Sequence, residues 1–440
     1  MSGARLPRTP VALGRTRIVG ATLIDGTLAP PLADAEVEIV DGVLGYVGPR
    51  RPEPAGTAVD GTTAVVDATG YHLTPGFFDL HVHAAMPNDA GPDVIKEWFP
   101  EEEAFSTARS LRQTLEAGVT TARDLSALTP GYRNAIAAGD IVGPRLHLAI
   151  SLLSPTGGHG DPESPNGALP VYAQRATTPG WRIVDTADEV LRTVRRLDRI
   201  GADVIKVCTS GGLSTHGDDP TELGVPEEHV ALIVSEMARR RCQPVTAHAQ
   251  SEQGIRAAVR GGAASIEHGY GLTDDLIDEM LERGTVLVPT LAALDRIPDP
   301  GRASPEAIDR KRRWRETGMR AVARAIEAGL PIGTGTDAGI VPHGRNLAEL
   351  GLLVDIGMSP AHAIHAGTLV SARTMGLADH LGSVEPGKLA DLVLTAVDPL
   401  TRIRDLADAQ NVRAVWQSGT LVKDLDRIAP RVADQVLARP

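Results

Sequence analysis

The chain is poor in cysteine: only Cys208 and Cys242 occur in 440 residues. Two cysteines cannot build a disulfide framework, so the fold must be held by its core. Aromatic residues make up only 3% of the sequence. Ala, Val, Leu and Gly therefore carry the packing, which suits close helix-on-sheet contacts better than an aromatic ligand groove. No segment approaches the ~20 apolar residues of a membrane span, and Met1 to Arg17 contains Arg and Pro but no continuous apolar stretch of the signal-peptide kind. Basic charge is also short, because 44 Lys and Arg face 56 Asp and Glu for a formal charge of −12. With no dense Lys/Arg cluster, a nucleic-acid backbone and an anionic membrane are both excluded as expected partners. The expectation is a cytoplasmic protein that handles a small molecule.

What is present is length and a 42% apolar fraction, more than one ordinary core of ~100–150 residues can use. From residue 14 to about 72 short β runs such as Ala35–Val40 and Leu44–Val47 are joined by the turn signals Asp25-Gly26, Asp41-Gly42 and Asp60-Gly61. From about residue 74 apolar strands alternate with amphipathic helical stretches. The strands are expected at 75–83, 118–124, 145–150, 203–208, 244–248, 264–268, 285–291 and 331–337, and helices at Phe105–Ala117, Ala187–Ile200, Glu227–Arg240, Glu252–Arg260 and Asp274–Arg283. Eight such units are most simply closed as a parallel (β/α)8 TIM barrel. β character returns after residue 382, so residues 1–73 and 382–440 are expected to pair as one discontinuous β-sandwich domain around a catalytic barrel of residues 74–381.

The chemistry gathers at strand ends. His81-Val82-His83 closes the first barrel strand, and because side chains alternate with period 2, both imidazoles face the same way and can grip one cation. Two histidines can also share a strand face with no chemical role. Four further ligand-type residues each end a strand-like stretch, however: Lys206, His248, His268 and Asp337. These fall at strands 1, 4, 5, 6 and 8, at the C-terminal side where barrel enzymes place their chemistry. Cys208 shares the Lys206 face by the same alternation, and reads as a small buried hydrophobe.

The ordered set formed by Thr74 to His83, Gly118 to Asp124, Ser154 to Asp161, Ile266-Glu267-His268-Gly269, Gly335-Thr336-Asp337 and Gly382 to Asp391 resembles the amidohydrolase superfamily over almost the whole chain. Within it, the set is most similar to the imidazolonepropionase-like and prolidase-like metal-dependent hydrolases. The resemblance implies two divalent metal ions, zinc first, with His81, His83 and Asp337 on one, His248 and His268 on the other, and Lys206 carboxylated by CO2 as the bridge. It implies cleavage of an amide bond in a dipeptide, N-acyl amino acid or related small molecule by metal-bridged hydroxide, with Asp337 taking and returning the proton. Among loop residues, the resemblance implies His159 as a catalytic or substrate contact; by position, His216 and His343 in the loops after strands 4 and 8, Gln250 after the strand 5 ligand and Tyr270 two residues past His268 are candidate substrate contacts, with core packing the alternative for Tyr270, and the loop at about 151–182 could serve as a lid. Gln250 departs from the Tyr or His found after the strand 5 ligand in dipeptide-cleaving relatives, which puts Xaa-Pro recognition in doubt. A mononuclear deaminase or cyclic-amidine hydrolase is the alternative; it would need a glutamate at position 251, where Ser stands with Glu252 one step later. Lactone, carbamate or phosphoester hydrolysis and a non-catalytic scaffold are more remote. A homo-oligomer is expected. His72, His147, His229, His362, His365 and His380 read as structural.

Overall fold

The computed structural model describes residues 6–52, 63–86, 98–164, 166–169, 180–213, 218–240, 244–298, 304–429 and 437–438. The chain opens with β1 (Val11–Ala12), β2 (Arg15–Leu23), β3 (Leu32–Val40), β4 (Val43–Pro49), β5 (Thr63–Asp67) and β6 (His72–Pro75). Asp41-Gly42 makes the two-residue turn between β3 and β4, with φ of 49° and 80°, the paired left-handed conformation that a tight hairpin needs. Gly42 is also required by crowding, since a Cβ there would lie 2.5 Å from Val11 Cγ1.

The chain then alternates strands and helices: β7 (Phe77–Val82), α1 (Pro100–Glu116), β8 (Val119–Asp124), α2 (Pro130–Ala138), β9 (Arg145–Leu148), β10 (Leu152–Ser154), β11 (Trp181–Ile183), α3 (Ala187–Ile200), β12 (Ile205–Cys208), α4 (Glu227–Ala238), β13 (Val245–Ala249), α5 (Glu252–Arg260), β14 (Ser265–His268), α6 (Asp274–Arg283), β15 (Val286–Val288), α7 (Leu291–Asp295) and α8 (Pro305–Glu327). Strands β12, β13 and β14 are buried at every position, as parallel strands covered on both faces must be. α3 shows why the helices form where they do. Thr186 and Glu189 close a capping box, Gly201 ends the helix at φ 106°, and Val190, Val194 and Leu197 form the buried stripe. α1 starts at Pro100, earlier than the expected Phe105, because its first turn is acidic and lacks an apolar marker; Glu102 Oε2 accepts the Phe99 amide at 2.8 Å.

The parallel strands join as β7-β8-β9 and β10-β12-β13-β14-β15, with β11 on the outer edge of β10. Two irregular junctions close the ring. At one, Ile150 with φ 69° kinks the chain between β9 and β10, so that β9 pairs with β8 while β10 pairs with β12. The expected strand at 145–150 therefore continues past a kink to Ser154, and part of the expected 151–182 loop is strand. At the other, Leu287 bridges Ile332 and Val82 bridges Ala338, while Leu80 N donates to Thr334 O and Asp337 N to His81 O, both at 2.8 Å. The expected strand at 331–337 is thus an extended stretch held by bridges. Gly335 permits its close approach, since a Cβ there would lie 2.9 Å from His81 Cβ.

After the barrel come β16 (Leu392–Thr395), β17 (Val412–Gln417) and β18 (Thr420–Asp424), with β19 (Leu437–Ala438) paired to β1. The order β18-β17-β16-β6-β2-β3-β4, with β5 against β2, merges both ends of the chain into one largely antiparallel sheet. It has its own core, in which Ile18, Val37, Leu44 and Leu73 pack with Leu392, Leu394 and Trp416. The fold class is the expected barrel with a β-sandwich built from the two chain ends. A buried polar clasp ties them. Arg145, at the start of β9, donates to Asp391 Oδ2 at 2.7 Å, Ser418 Oγ at 2.9 Å and Thr9 Oγ1 at 3.3 Å.

Candidate active site

The C-terminal ends of the barrel strands carry a cluster of imidazoles. The His81 and His268 ring centroids are 4.9 Å apart, His248 and His268 4.6 Å, and His81 and His83 5.3 Å. Asp337 Oδ1 lies 3.3 Å from His83 Nε2 and 3.5 Å from His81 Nε2. One ligand atom each of His81, His268 and Asp337 fall within 4.8 Å of one another, close enough for a single cation to draw them in.

Each of the four imidazoles has one ring nitrogen engaged. His81 Nδ1 meets Glu267 Oε2 at 2.9 Å, His83 Nδ1 meets Ser126 Oγ at 2.8 Å, His248 Nε2 meets Gly211 O at 3.0 Å, and His268 Nδ1 meets Thr290 Oγ1 at 2.6 Å. Such a contact fixes tautomer and ring angle and leaves the second nitrogen as the ligand atom. Burial, with the positive side chains nearby, holds His81, His248 and His268 far below the usual histidine range, so they stay neutral, the form that binds metal. Burial pushes the Asp337 carboxyl up, while the side chains that face it, with His83 Nε2 in direct contact at 3.3 Å, pull it the other way, and the net shift is below the usual carboxylate range.

Lys206 completes the ring. Its side chain is buried, its Nζ has no hydrogen-bond partner among the described residues, and burial pulls its pKa down. No ion pair to Asp337, the inert alternative for a lysine at this spot, is found among the described residues. A buried, unpartnered ammonium among four imidazoles is unstable as it stands. The donor set of neutral imidazoles, a carboxylate and an amine with no other use fits a cationic metal centre.

Several supporting residues were not singled out by the sequence reading. Glu267 also accepts from Arg123 Nη2 at 2.6 Å, from Ser265 Oγ at 3.0 Å and from Thr246 Oγ1. Strict alternation would send Glu267 and His268 to opposite faces, but His268 has φ 74° and turns its ring back over the barrel mouth. Asp79 accepts from Thr336 N and Oγ1 and from Asn346 Nδ2 at 2.8 Å, pinning β7 to the chain before Asp337. Ile150, Thr290 and Asp337, each at or within two residues of the end of a barrel strand or strand-like stretch, also have left-handed backbone, at φ 69°, 49° and 59°. Glu267→Gln should weaken metal retention about 10- to 100-fold by competition with a chelator, because the glutamine amide is a poorer acceptor for His81. Unchanged retention would mean that Glu267 serves only the barrel core.

The loop residues divide. His159 stacks on His248, with centroids 3.9 Å apart and planes 15° apart, and so belongs to the cluster. Gln250, two residues beyond His248, is buried, and its Oε1 has no hydrogen-bond partner among the described residues. Tyr270 is committed behind the cluster, its hydroxyl 2.9 Å from Thr290 Oγ1 and 3.4 Å from His268 Nδ1. His343 is buried between α1 and the backbone that follows β7, with Nδ1 3.4 Å from Thr114 Oγ1 and the ring close to His83. His216 and Cys242 lie outside the described residues. Cys208 is buried, and burial pushes its thiol up to about 12.

A parallel barrel with histidines, an aspartate and a lysine converging at its C-terminal mouth defines a hydrolase of the type that works with bound metal. The chain belongs to the amidohydrolase family, whose profile matches residues 72–422. It is 31% identical to an ochratoxinase of Aspergillus niger over 439 residues, covering 95% of this chain and 90% of the relative. It is 27% identical to the imidazolonepropionase of Deinococcus deserti, covering 89% and 92%. Among solved structures, a prolidase complexed with N-methylphosphonate-L-proline superimposes with a TM-score of 0.84 at 28% identity, covering 93% of this chain and all of the other. The protein is accordingly an enzyme, an amidohydrolase acting on C–N bonds. Among the described residues no helix is long and apolar enough to cross a membrane.

Proposed function

We propose that the protein is a binuclear metal-dependent hydrolase that cleaves an amide bond in a small molecule such as a dipeptide or N-acyl amino acid. The observation that carries this reading is Lys206, which is buried beside His81, His248, His268 and Asp337 and whose Nζ has no hydrogen-bond partner among the described residues. As a free amine it can add CO2 and release a proton, becoming a carbamate with two oxygens that would satisfy two cations where an ammonium would repel them. His81, His83 and Asp337 would hold one ion, His248 and His268 the other, and the Lys206 carbamate would bridge them. Imidazole and carboxylate donors suit zinc first, with manganese, cobalt or iron behind. When bound, the pair supplies Lewis acidity, which lowers the pKa of water and polarises a carbonyl. Asp337, held ionised at the rim, would accept the proton of the attacking water and deliver it to the leaving nitrogen. His159, stacked on His248, and Gln250, two residues beyond it, would orient a substrate carbonyl or its flanking amide. Residues 1–73 and 382–440 are read as one sandwich domain about the barrel, and the protein as a cytoplasmic homo-oligomer.

The mononuclear deaminase alternative loses ground on an observed detail. Ser251 is the N-cap of α5, accepting from Gly254 N at 3.3 Å, and Glu252 turns outward to Arg256 at 2.8 Å. Neither offers a carboxylate to the pocket. The test is metal analysis of protein produced with zinc and bicarbonate, followed by a screen of N-acyl amino acids and dipeptides with and without prior chelation. About two ions per chain, and turnover that chelation abolishes and zinc restores, are expected. A single ion, with turnover confined to amino-heterocycles or cyclic amidines, would overturn the binuclear reading.

A further inference from the structure

We infer that Asp218 is the positioning residue of His159, locking its ring against His248 so that Nε2 is the atom offered to substrate. This rests on the reading of the pocket as a hydrolase site. The two residues come from different loops, His159 after β10 and Asp218 after β12. Asp218 is buried, and its Oδ2 lies 2.6 Å from His159 Nδ1. With Nδ1 engaged and one face of the ring stacked on His248, Nε2 is the nitrogen left for a ligand, and the imidazole keeps partial exposure at the pocket.

The loop after β12 is shaped for this pair. A Cβ on Gly212 would stand 2.4 Å from His159 Nδ1 and 2.5 Å from its Cε1, so a glycine is needed for the ring to lie there. A Cβ on Gly211 would meet Asp218 Oδ1 at 2.4 Å and Asp219 O at 2.0 Å. The carbonyl of Gly211 in turn takes His248 Nε2 at 3.0 Å. One short segment thus sets the angle of His248 through its backbone, and makes room for His159 and its carboxylate. A ring held this way needs no reordering when substrate arrives, the circumstance in which a polar contact contributes most to rate.

The test compares Asp218→Ala, Asp218→Asn, His159→Ala and the His159→Ala/Asp218→Ala double variant as zinc-loaded proteins. The ring is read first by nitrogen NMR of histidine-labelled protein without substrate, with the His159 signals assigned by their loss in His159→Ala. The parent and Asp218→Asn should show the tautomer with the proton on Nδ1, and Asp218→Ala a mixture. In kinetics on the best amide substrate, Asp218→Ala should lower kcat/KM roughly 10- to 100-fold with metal content unchanged, and Asp218→Asn less than about fivefold. Asp218→Ala should have no further effect once His159 is gone. Gly212→Ala, which keeps both side chains but crowds the ring, should reproduce the loss if Asp218→Ala does not fold. An unchanged His159 tautomer in Asp218→Ala, an equal fall in the His159→Ala background, or an unaffected Gly212→Ala would overturn the inference. If the parent hydrolyses no amide, the proposed function fails, while the ring signature still decides the role of Asp218.

Discussion

Lys206→Ala should reduce bound metal from about two ions per chain to one or none, and lower kcat roughly a thousandfold or more. In the proposed site, removing the lysine deletes the bridging group, and His81, His83, His248, His268 and Asp337 would then face cations with no carbamate between them. Loss of packing has to be separated from loss of the bridge, because Lys206 is also among the largest fully buried side chains. Lys206→Met retains most of the volume and should cost as much activity as alanine while melting near the parent temperature. A parent with one ion, unchanged in both variants and equally active, would remove the carbamate assignment and return attention to one-metal chemistry.

Arg145→Met should destabilise the protein by about 3–5 kcal/mol, since it leaves a carboxylate buried without its counter-charge. Asp391 accepts from Arg145 Nη1 at 2.7 Å and from the Ser418 amide at 2.8 Å, and its one charged partner in the clasp is lost once the guanidinium is gone. The loss should appear as a lower denaturation midpoint, with kcat and metal content of the folded fraction intact, because Arg145 stands at the start of β9, opposite the catalytic mouth. Adding Asp391→Asn to Arg145→Met should recover part of the loss, as the amide keeps a hydrogen bond to Ser418 and gives up the charge. A midpoint within 0.5 kcal/mol of the parent would show that water reaches Asp391 and that the clasp is not needed.

The cluster at the mouth was legible in the sequence because period 2 and strand ends are local properties: His81 and His83 share a face wherever their strand goes. The helices with a cap, a stripe and a terminal glycine were equally local, as α3 and α5 illustrate. What the sequence hid depends on contacts between distant segments. The Arg145–Asp391 pair spans 246 positions and His81–Glu267 spans 186, and neither residue of the first pair carries any mark of its partner. Glu267 was further concealed by the left-handed turn at His268, which breaks the alternation on which facing was judged. Asp218 has no signal in isolation either, since the glycines that admit it matter only once His159 is known to lie above them. The kink at Ile150 was invisible for a similar reason: a β-branched residue gives no warning of positive φ.

Left-handed Ile150, His268, Thr290 and Asp337 at the barrel-strand ends have a consequence for how such a protein can be made to survive heat. Each such conformation costs on the order of 1–3 kcal/mol outside glycine, and glycine at Thr290 or Asp337 would relieve it. Yet Thr290 supplies the hydroxyl against His268, and Asp337 the oxygen between His81 and His83. Relaxing the rim would therefore blunt the pocket it encircles. Variants selected for hotter conditions should leave positions 150, 268, 290 and 337 alone and accumulate their changes on the outer helices and the two-ended sheet, so that heat tolerance grows from the outside of the barrel inward.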